Sequence, residues 1–152
     1  MSLVLTREQW LQIEREGSAA YPNECCGAML GRDESQNAQI RRIVQKLEPL
    51  KNAFEAGEQY HRFSLEPRDL MLLEKRASSA GLAVLGFYHS HPDHPAKPSE
   101  YDRSHAWPFY SYVIVEICKG HAKEMTSWRL DENSEQFAAE EIIRLDGERT
   151  KS

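Results

Sequence analysis

The sequence lacks long hydrophobic runs and is poor in cysteine. No apolar run among its 152 residues approaches the roughly 18 residues that cross a bilayer, so we expect no membrane partner. Residues 1–7 lack the basic region of a secretory signal, so we expect no export signal. Cysteine occurs only three times, and two of the three are adjacent. This is no disulfide framework, which favours a reducing, cytoplasmic location.

A surplus of positive charge is also missing. Nineteen Lys and Arg residues stand against twenty-four Asp and Glu residues, which gives a net charge of −5. A nucleic-acid binder normally needs a basic face to neutralise phosphates, so we expect no nucleic-acid partner. The sequence has no internal repeat and no linker-like shift in composition, and its length is typical of one domain. We therefore predict a single domain over residues 1–152, without any signal for an oligomeric state.

The N-terminal half predicts one helix followed by strands. Thr6 and Gln9 have the spacing of a capping box. Apolar and small residues then recur on one helical face until residues 21–23 end the helix. The further predicted segments are, in order, a buried strand over residues 25–31, a polar turn over 33–37, a strand over 38–49, an irregular segment over 50–62 and a short strand over 63–65.

The C-terminal half predicts a second helix and more strands. Pro67 suits the first turn of a helix, and Gly81 is a natural end for it. The continuous apolar run 82–88 predicts a strand that is covered on both faces. The remaining predicted elements are, in order, a loop with three prolines, a short helix from Ser99 that ends before Pro108, strands over 110–118 and 123–130, and a terminal helix or strand over 137–145. This order predicts an α/β or α+β fold with a mixed sheet.

The segment most informative about function follows the buried strand. His89 and His91 lie at its C-terminal end, and because side chains in a strand alternate with a period of two, both point to the same face. Asp102 lies in the first turn of the next predicted helix, which is a rigid position for its carboxylate. Two imidazoles and one carboxylate suit zinc. Three protein ligands with a fourth position for water are typical of a catalytic zinc site.

Each part of this pattern also has an ordinary structural interpretation. A His-x-His pair occurs on surfaces and in satisfied cores, and Ser99 and Asp102 have the spacing of a helix cap. The two interpretations of Ser99 are compatible. His94 offers a third histidine, but it lies in the proline-rich loop. His105 lies one turn after Asp102, where it could contact the site from outside or simply end the helix.

The adjacent Cys25 and Cys26 are candidate nucleophiles only in principle. In a strand they would face opposite sides, so at most one of them would face the site. A cysteine nucleophile needs an activating base, and nothing in the sequence identifies one. Buried small strand residues are therefore the preferred interpretation.

The complete pattern resembles the JAMM (MPN+) metalloprotease family. The motif is His89-x-His91, then seven residues, then Ser99-x-x-Asp102, and it matches at every defined position. The upstream segment 22–31, Pro-Asn-Glu-Cys-Cys-Gly-Ala-Met-Leu-Gly, also looks like this family. Further matching positions are Asn52, Ala53, Phe63, Pro67 and residues 86–92. The resemblance covers nearly the whole chain.

This resemblance implies a curved mixed β-sheet flanked by helices, similar to the cytidine deaminases, whose own Pro-Cys-x-x-Cys and His-x-Glu signatures are absent here. It implies one zinc ion (Zn²⁺) per chain, held by His89, His91 and Asp102. Glu24 corresponds to the family's general base and Ser99 to its oxyanion-stabilising serine. Without the resemblance, Glu24 would be interpreted as a solvated turn residue.

The resemblance also implies an activity, the hydrolysis of an amide bond. Only seven residues separate Asp102 from Tyr110, which leaves little room for the insertions with which some family members grip a second ubiquitin. The chain resembles the minimal prokaryotic type, which implies a ubiquitin-like or sulfur-carrier protein with a Gly-Gly tail as partner. Two alternatives stay open. One is a zinc hydrolase of a small amide, and the other is a catalytically silent scaffold, against which the intact residue set argues.

Overall fold

Seven strands and three helices make up the part of the chain that the structure describes. The computed structural model describes residues 1–51 and 65–146. The predicted segments 50–62 and 63–65, and the family matches at Asn52, Ala53 and Phe63, lie largely or wholly outside it. The elements are β1 (Ser2–Thr6), α1 (Arg7–Ala20), β2 (Cys26–Gln36), β3 (Gln39–Leu50), α2 (Pro67–Ser79), β4 (Ala83–Pro92), α3 (Glu100–Ser104), β5 (Ser111–Cys118), β6 (His121–Leu130) and β7 (Phe137–Leu145). In these ranges no helix has the length and apolarity needed to span a membrane.

The strands form one mixed sheet in the order β1-β3-β2-β4-β5-β6-β7. The pairs β1–β3, β4–β5 and β1–β7 are parallel, and the remaining pairs are antiparallel. Pairing of β1 with β7 closes the sheet into a barrel. The predicted fold class, a mixed sheet with helices, is confirmed. The closure was not predicted, because β1 has only five residues and its sequence looks like the approach to α1.

Helices α1 and α2 pack against opposite faces of the sheet. One core cluster joins Ile13 of α1 to buried side chains of β1 to β6. A second cluster joins Leu70, Leu73 and Ala77 of α2 to β2, β4 and β5. Full burial of one such aliphatic side chain contributes about 1.5–3 kcal/mol. Strand β4 takes part in both clusters, which explains its continuous apolar run.

A β-bulge lies in β4, four residues before the first histidine. Met29 of β2 pairs with Gly86, whereas the next residue, Leu30, pairs with Val84. Leu85 is therefore an extra residue on β4 without a partner opposite it on β2.

The bulge shifts the alternation of side chains along β4. Val84 and Phe87, three residues apart, both pack in the α2 cluster, whereas Leu85 and Tyr88 both pack in the α1 cluster. The Leu85 carbonyl accepts a hydrogen bond from Nη1 of buried Arg42 at 2.8 Å. Beyond the bulge the period of two resumes, which assigns His89 and His91 to the same face as Phe87.

The local predictions hold at the helix starts and fail at one turn. The capping box forms, with Gln9 N–H donating to Thr6 Oγ1 at 3.0 Å and Thr6 N–H to Gln9 Oε1 at 2.9 Å. The polar turn predicted over residues 33–37 is wrong, because β2 continues to Gln36 and pairs with β3 beyond the core. The actual turn lies at Asn37 and Ala38, which have φ angles of 53° and 66°. Residues 137–145, which were predicted to be either a helix or a strand, form strand β7.

Candidate metal and catalytic site

The imidazoles of His89 and His91 and the carboxylate of Asp102 converge at one point. The Nε2 atoms of the two histidines lie 3.1 Å apart. Asp102 Oδ1 lies 3.3 Å from His89 Nε2, and Asp102 Oδ2 lies 3.1 Å from His91 Nε2. Their side chains are 2%, 7% and 10% exposed in the order His89, His91 and Asp102. The structure thus brings together the three residues predicted to be metal ligands.

The backbone carbonyl of Pro95 fixes the tautomer of His91. Its oxygen lies 2.9 Å from His91 Nδ1 and can only accept, so Nδ1 carries the proton. In the neutral ring, Nε2 then directs a lone pair toward His89 and Asp102. A lone pair that faces a carboxylate and a second imidazole fits a bound cation, and this donor set fits Zn²⁺. Among the described residues, one potential ligand atom from each of these three side chains lies within 4.8 Å of the other two.

Ser99 and Asp102 cap the short helix α3 reciprocally. The Asp102 N–H donates to Ser99 Oγ at 3.0 Å, and the Ser99 N–H donates to Asp102 Oδ2 at 2.9 Å. These bonds orient the Asp102 carboxylate toward the histidines. Because the Ser99 hydroxyl is the acceptor in the cap, its own proton is not used there and can be donated elsewhere. The capping role and the predicted oxyanion role are therefore compatible.

Glu24 lies between α1 and β2, next to a residue that is bonded to the histidine strand. Cys25 exchanges hydrogen bonds with Ser90, the residue between the two histidines. Glu24 lines one cavity together with His91 and Ser99. The structure thus places Glu24 beside the three converging side chains.

The interpretation that Glu24 would have without the family resemblance, a solvated turn residue, is wrong. Only 7% of the residue is exposed, because the chain reversal after α1 places it against the sheet. Its Oε1 atom is buried and has no hydrogen-bond partner within the described ranges. An unpartnered buried carboxylate oxygen is costly, which marks this position as unusual for a purely structural residue.

The two carboxyl groups of the site have opposite pKa shifts. Burial, with a smaller contribution from the charge of Asp102, raises the pKa of Glu24 to about 9. Burial acts in the same direction on Asp102, but in the metal-free site the charge and hydrogen bond of protonated His89, together with the hydrogen bond from the Ser99 N–H, hold that pKa well below its usual range. One carboxyl group can therefore hold a proton while the other is ionised, a division typical of acid–base sites.

A family match accounts for this fold and this arrangement together. The family described as prokaryotic homologs of the JAB domain matches residues 6–131. The chain belongs to this family. The family resemblance predicted from the motifs is thereby confirmed.

Relatives of this JAB-domain protein agree with the assignment. A desampylase from Haloferax volcanii is 36% identical over 110 residues, which cover 71% of this chain and 73% of that protein. The solution structure of a protein from Desulfitobacterium hafniense has a TM-score of 0.76 at 29% identity and covers 95% of this chain and 93% of its own. A JAB1/MPN domain protein from Archaeoglobus fulgidus has a TM-score of 0.54 at 19% identity, with coverage of 94% and 99%, and supports the fold alone.

Two cavities of the JAB-domain protein border the site and have different linings. The first is lined by Glu24, His91, His94, Pro95, Lys97 and Ser99. The second is narrow, borders His89 and Asp102 and is otherwise mostly apolar, with Leu65, Trp107 and Phe137 in its wall. Lys97 and the apolar wall were not predicted from the sequence, because these residues come from separate segments and carry no motif of their own.

Two further histidines lie near the site without joining the ligand group. The ring centroid of His94 is 6.3 Å from that of His91, and His94 lies exposed in the loop. The ring of His105 stacks on Tyr101 with centroids 3.9 Å apart, and its Nδ1 atom lies 2.9 Å from the Tyr101 carbonyl oxygen. His105 borders the apolar cavity. Neither ring is among the three groups that converge.

The two adjacent cysteines pack against opposite faces of the sheet. Cys25 contacts the α1 cluster, and Cys26 belongs to the α2 cluster. Burial raises the pKa of each thiol to about 12. The reactive thiolate is therefore scarce at neutral pH, and neither cysteine has the environment of a nucleophile.

Proposed function

We propose that this protein is a zinc-dependent peptidase that hydrolyses the amide bond after the C-terminal Gly-Gly of a ubiquitin-like or sulfur-carrier protein in the cytoplasm. The observation that carries the proposal is the cavity in which buried Glu24 lies with His91 and Ser99, next to the convergence of His89, His91 and Asp102. A buried carboxyl group beside a zinc-type donor set suits the hydrolysis of an amide by water, because the carboxyl group can transfer protons and the metal can activate water.

The residues of the site divide the chemistry among them. His89, His91 and Asp102 would hold one Zn²⁺ per chain, which when bound supplies a Lewis acid that lowers the pKa of a bound water to about 7. With the cation bound, its charge would favour the ionised form of Glu24, which then accepts the proton of the attacking water and delivers it to the leaving amine. The Ser99 hydroxyl donates to the oxygen on which negative charge develops. Loss of one such donor typically costs about 2.7–4 kcal/mol of the barrier.

The substrate class rests on a relative and on steric reasoning. The name of the Haloferax volcanii relative, desampylase, denotes removal of a ubiquitin-like modifier. Glycines suit a chain that must pass close to the site, because they have no side chain to obstruct it. We expect the tail to add as a strand near residues 50–65, because within the described residues β1 pairs only with residues 41–43 of β3 and leaves the rest of that side of β3 without a neighbouring strand. Most of that segment lies outside the described residues, but Leu65 borders the apolar cavity beside His89.

The Glu24→Gln variant tests this proposal. With a carrier that bears a short extension after Gly-Gly, kcat of the zinc-loaded variant should fall by roughly 10²–10⁴, the usual contribution of positioned acid–base catalysis. Zinc content should match wild type, because Glu24 is not a ligand. The control is Glu140→Gln, which removes a buried carboxylate that accepts from Ser127 and lines neither site cavity.

The other outcomes of this experiment identify what would replace the proposal. Near-normal turnover in Glu24→Gln would move the general base elsewhere, and loss of zinc would make Glu24 a ligand or a structural support. Turnover of small amides alone by the wild-type protein would favour the small-amide hydrolase. Full zinc content without any turnover would favour the silent scaffold.

A further inference from the structure

The short segment that carries Glu24 is bonded to the end of β4 on both sides of this residue. On its C-terminal side, Cys25 exchanges hydrogen bonds with Ser90 of β4. On its N-terminal side, the Tyr21 hydroxyl donates to Asp93 Oδ2 at 2.6 Å. Asp93 directly follows the last residue of β4, so the two bonds reach β4 on either side of the second histidine in the sequence.

Asp93 is itself fixed to the hairpin formed by β5 and β6. Its N–H donates to the Ile117 carbonyl at 2.7 Å, and its Oδ1 atom accepts from the Lys119 N–H at 2.8 Å. The other carboxylate oxygen is the one that accepts from Tyr21. Asp93 is exposed, and water competes for exposed hydrogen bonds. Two backbone groups nevertheless hold its carboxylate in the orientation that the phenol needs.

Tyr21 is fixed in the same way and lies close to Glu24 along the chain. It follows the last residue of α1, and its ring packs against the α1 core cluster. The Asn23 N–H donates to the Ala20 carbonyl at 2.8 Å, which closes the turn between Tyr21 and Glu24. A displacement of Tyr21 is therefore passed on to Glu24 through only three residues.

The backbone of Asp93 is also unusual. Its φ angle is 57°, in the left-handed region that favours glycine and that aspartate and asparagine enter more readily than other residues. Glycine would fit this backbone with less strain, but it could make neither of the two side-chain bonds. Strained conformations cluster at functional sites. Here the strain coincides with a side chain that joins two other segments beside the site.

We propose that Asp93 is a positioning residue that, through Tyr21, holds the Glu24 carboxyl group at its working distance from the three metal ligands. This inference rests on the proposed function, in which Glu24 must reach both the attacking water and the leaving amine. Asp93 does not touch the reacting atoms and exchanges no proton. Without the bond to Tyr21, the bonds between Cys25 and Ser90 remain, so Glu24 gains freedom at one end of its segment. Because a general base acts in the transition state, kcat falls while KM is unchanged.

Tyr21→Phe removes the hydroxyl, keeps the ring and so tests this bond alone. With the full-length, zinc-loaded variant and a carrier that bears a short extension after Gly-Gly, kcat should fall by about fivefold or more, with KM and zinc content unchanged. Tyr110→Phe is the matched control, because the Tyr110 hydroxyl donates to Glu74 Oε2 at the same distance of 2.6 Å and neither residue lines a cavity of the site. It should keep its kcat, and an equal loss in both variants would overturn the positioning role.

The same change in a Glu24→Gln background shows whether Tyr21 acts through Glu24. Groups that act as a unit are non-additive, so Tyr21→Phe should change kcat of Glu24→Gln by less than about twofold. A general loss of order or a disturbed metal site would lower kcat by the same factor in both backgrounds. That result would overturn the proposal.

Two variants of Asp93 separate its side chain from its backbone. Glycine and asparagine both accept the left-handed φ angle. In Asp93→Asn, Oδ1 can accept from the Lys119 N–H and Nδ2 can donate to the Tyr21 oxygen, so most of kcat should be retained. Asp93→Gly can make neither bond and should lose at least as much kcat as Tyr21→Phe. Wild-type kcat in Asp93→Gly would overturn the proposal.

Amide hydrogen exchange measures the same effect without catalysis and separates this inference from the proposed function. Exchange of the Cys25 N–H should be at least about tenfold faster in Tyr21→Phe than in wild type, because one end of the segment is released, and unchanged in Tyr110→Phe. If wild type has no turnover but Cys25 shows this change, the hydrolase fails and the positioning role stands. Unchanged exchange in Tyr21→Phe overturns the positioning role, and the hydrolase then stands or falls with the turnover of wild type.

Discussion

The hydroxyl of Ser90, the residue between His89 and His91, accepts a hydrogen bond from the backbone N–H of Cys25 at 2.8 Å. The Ser90 N–H in turn donates to the Cys25 carbonyl at 3.2 Å. Ser90 is fully buried, so water does not compete with these bonds. This bridge joins segments 65 positions apart in the sequence and holds Glu24 beside the histidines.

Ser90→Ala should therefore misplace Glu24 without removing a metal ligand. We expect zinc content to stay at the wild-type level and kcat to fall by about tenfold or more, since small displacements of a catalytic group reduce rates strongly. The free energy of unfolding should fall by about 1–3 kcal/mol, because the Cys25 N–H loses its partner. Zinc analysis, kcat and urea unfolding check these expectations.

Ser127→Ala is the matched control for that variant. Ser127 is also a buried serine with one hydrogen bond, from its Oγ to Glu140 Oε1 at 2.9 Å. It should lose similar stability and keep its kcat. Equal kcat in Ser90→Ala and Ser127→Ala would contradict a positioning role for Ser90.

The sequence predicts that the two histidines lie on the same face of their strand, but it does not predict which face that is. The period of two along a strand suffices to place His89 and His91 on one face. Which face that is depends on the extra residue Leu85, whose carbonyl is satisfied by Arg42 from β3. The sequence of β4 gives no sign of a bulge, because the residues before and after Leu85 are equally apolar.

Long-range placement is the other part that the sequence could not predict. Glu24 was associated with the site only through the family resemblance, and its burial follows from bonds that Cys25 makes with a distant strand. Likewise, β1 was missed because its partners β3 and β7 lie at least 33 residues further along the chain. Local signals, such as the capping box of Thr6 and Gln9, were predicted correctly because both partners lie within one helical turn.

Metal binding should distinguish His91 from His94. We predict one zinc ion per chain in protein purified without chelator, and loss of most of that zinc in His91→Ala, because the Nε2 lone pair of His91 faces the other two ligands. His94→Ala is the control and should retain zinc, since its ring lies outside the converging group. Elemental analysis decides. Full zinc in His91→Ala together with loss in His94→Ala would show that the ligand assignment is wrong.

Burial of Glu24 should give the metal-free protein a distinct pH dependence of stability. The pKa of Glu24 is about 9 in the folded chain against an ordinary value of 4.5. Between these values the folded state keeps a proton that the unfolded state has released, so the free energy of unfolding falls as pH rises, by up to about 1.4 kcal/mol per pH unit from this group. Glu24→Gln removes this contribution.

Urea unfolding with chelator at pH 5, 7 and 9 measures that difference. The free energy of unfolding of Glu24→Gln, relative to wild type, should increase from pH 5 to pH 9. Glu140→Gln serves as the control and should not reproduce the increase. Parallel pH profiles for wild type and Glu24→Gln would mean that Glu24 is ionised in the folded protein.

Mass spectrometry of a carrier protein with a short extension after its Gly-Gly tail tests the central claim most directly. After incubation with zinc-loaded wild-type protein, the carrier should lose the mass of the extension through a cut directly after the second glycine. A carrier with both glycines replaced by alanine should be cut far more slowly, and Glu24→Gln should leave both carriers intact over the same time. An equally fast cut of the alanine carrier, or no cut of the Gly-Gly carrier by fully zinc-loaded protein, would contradict the account.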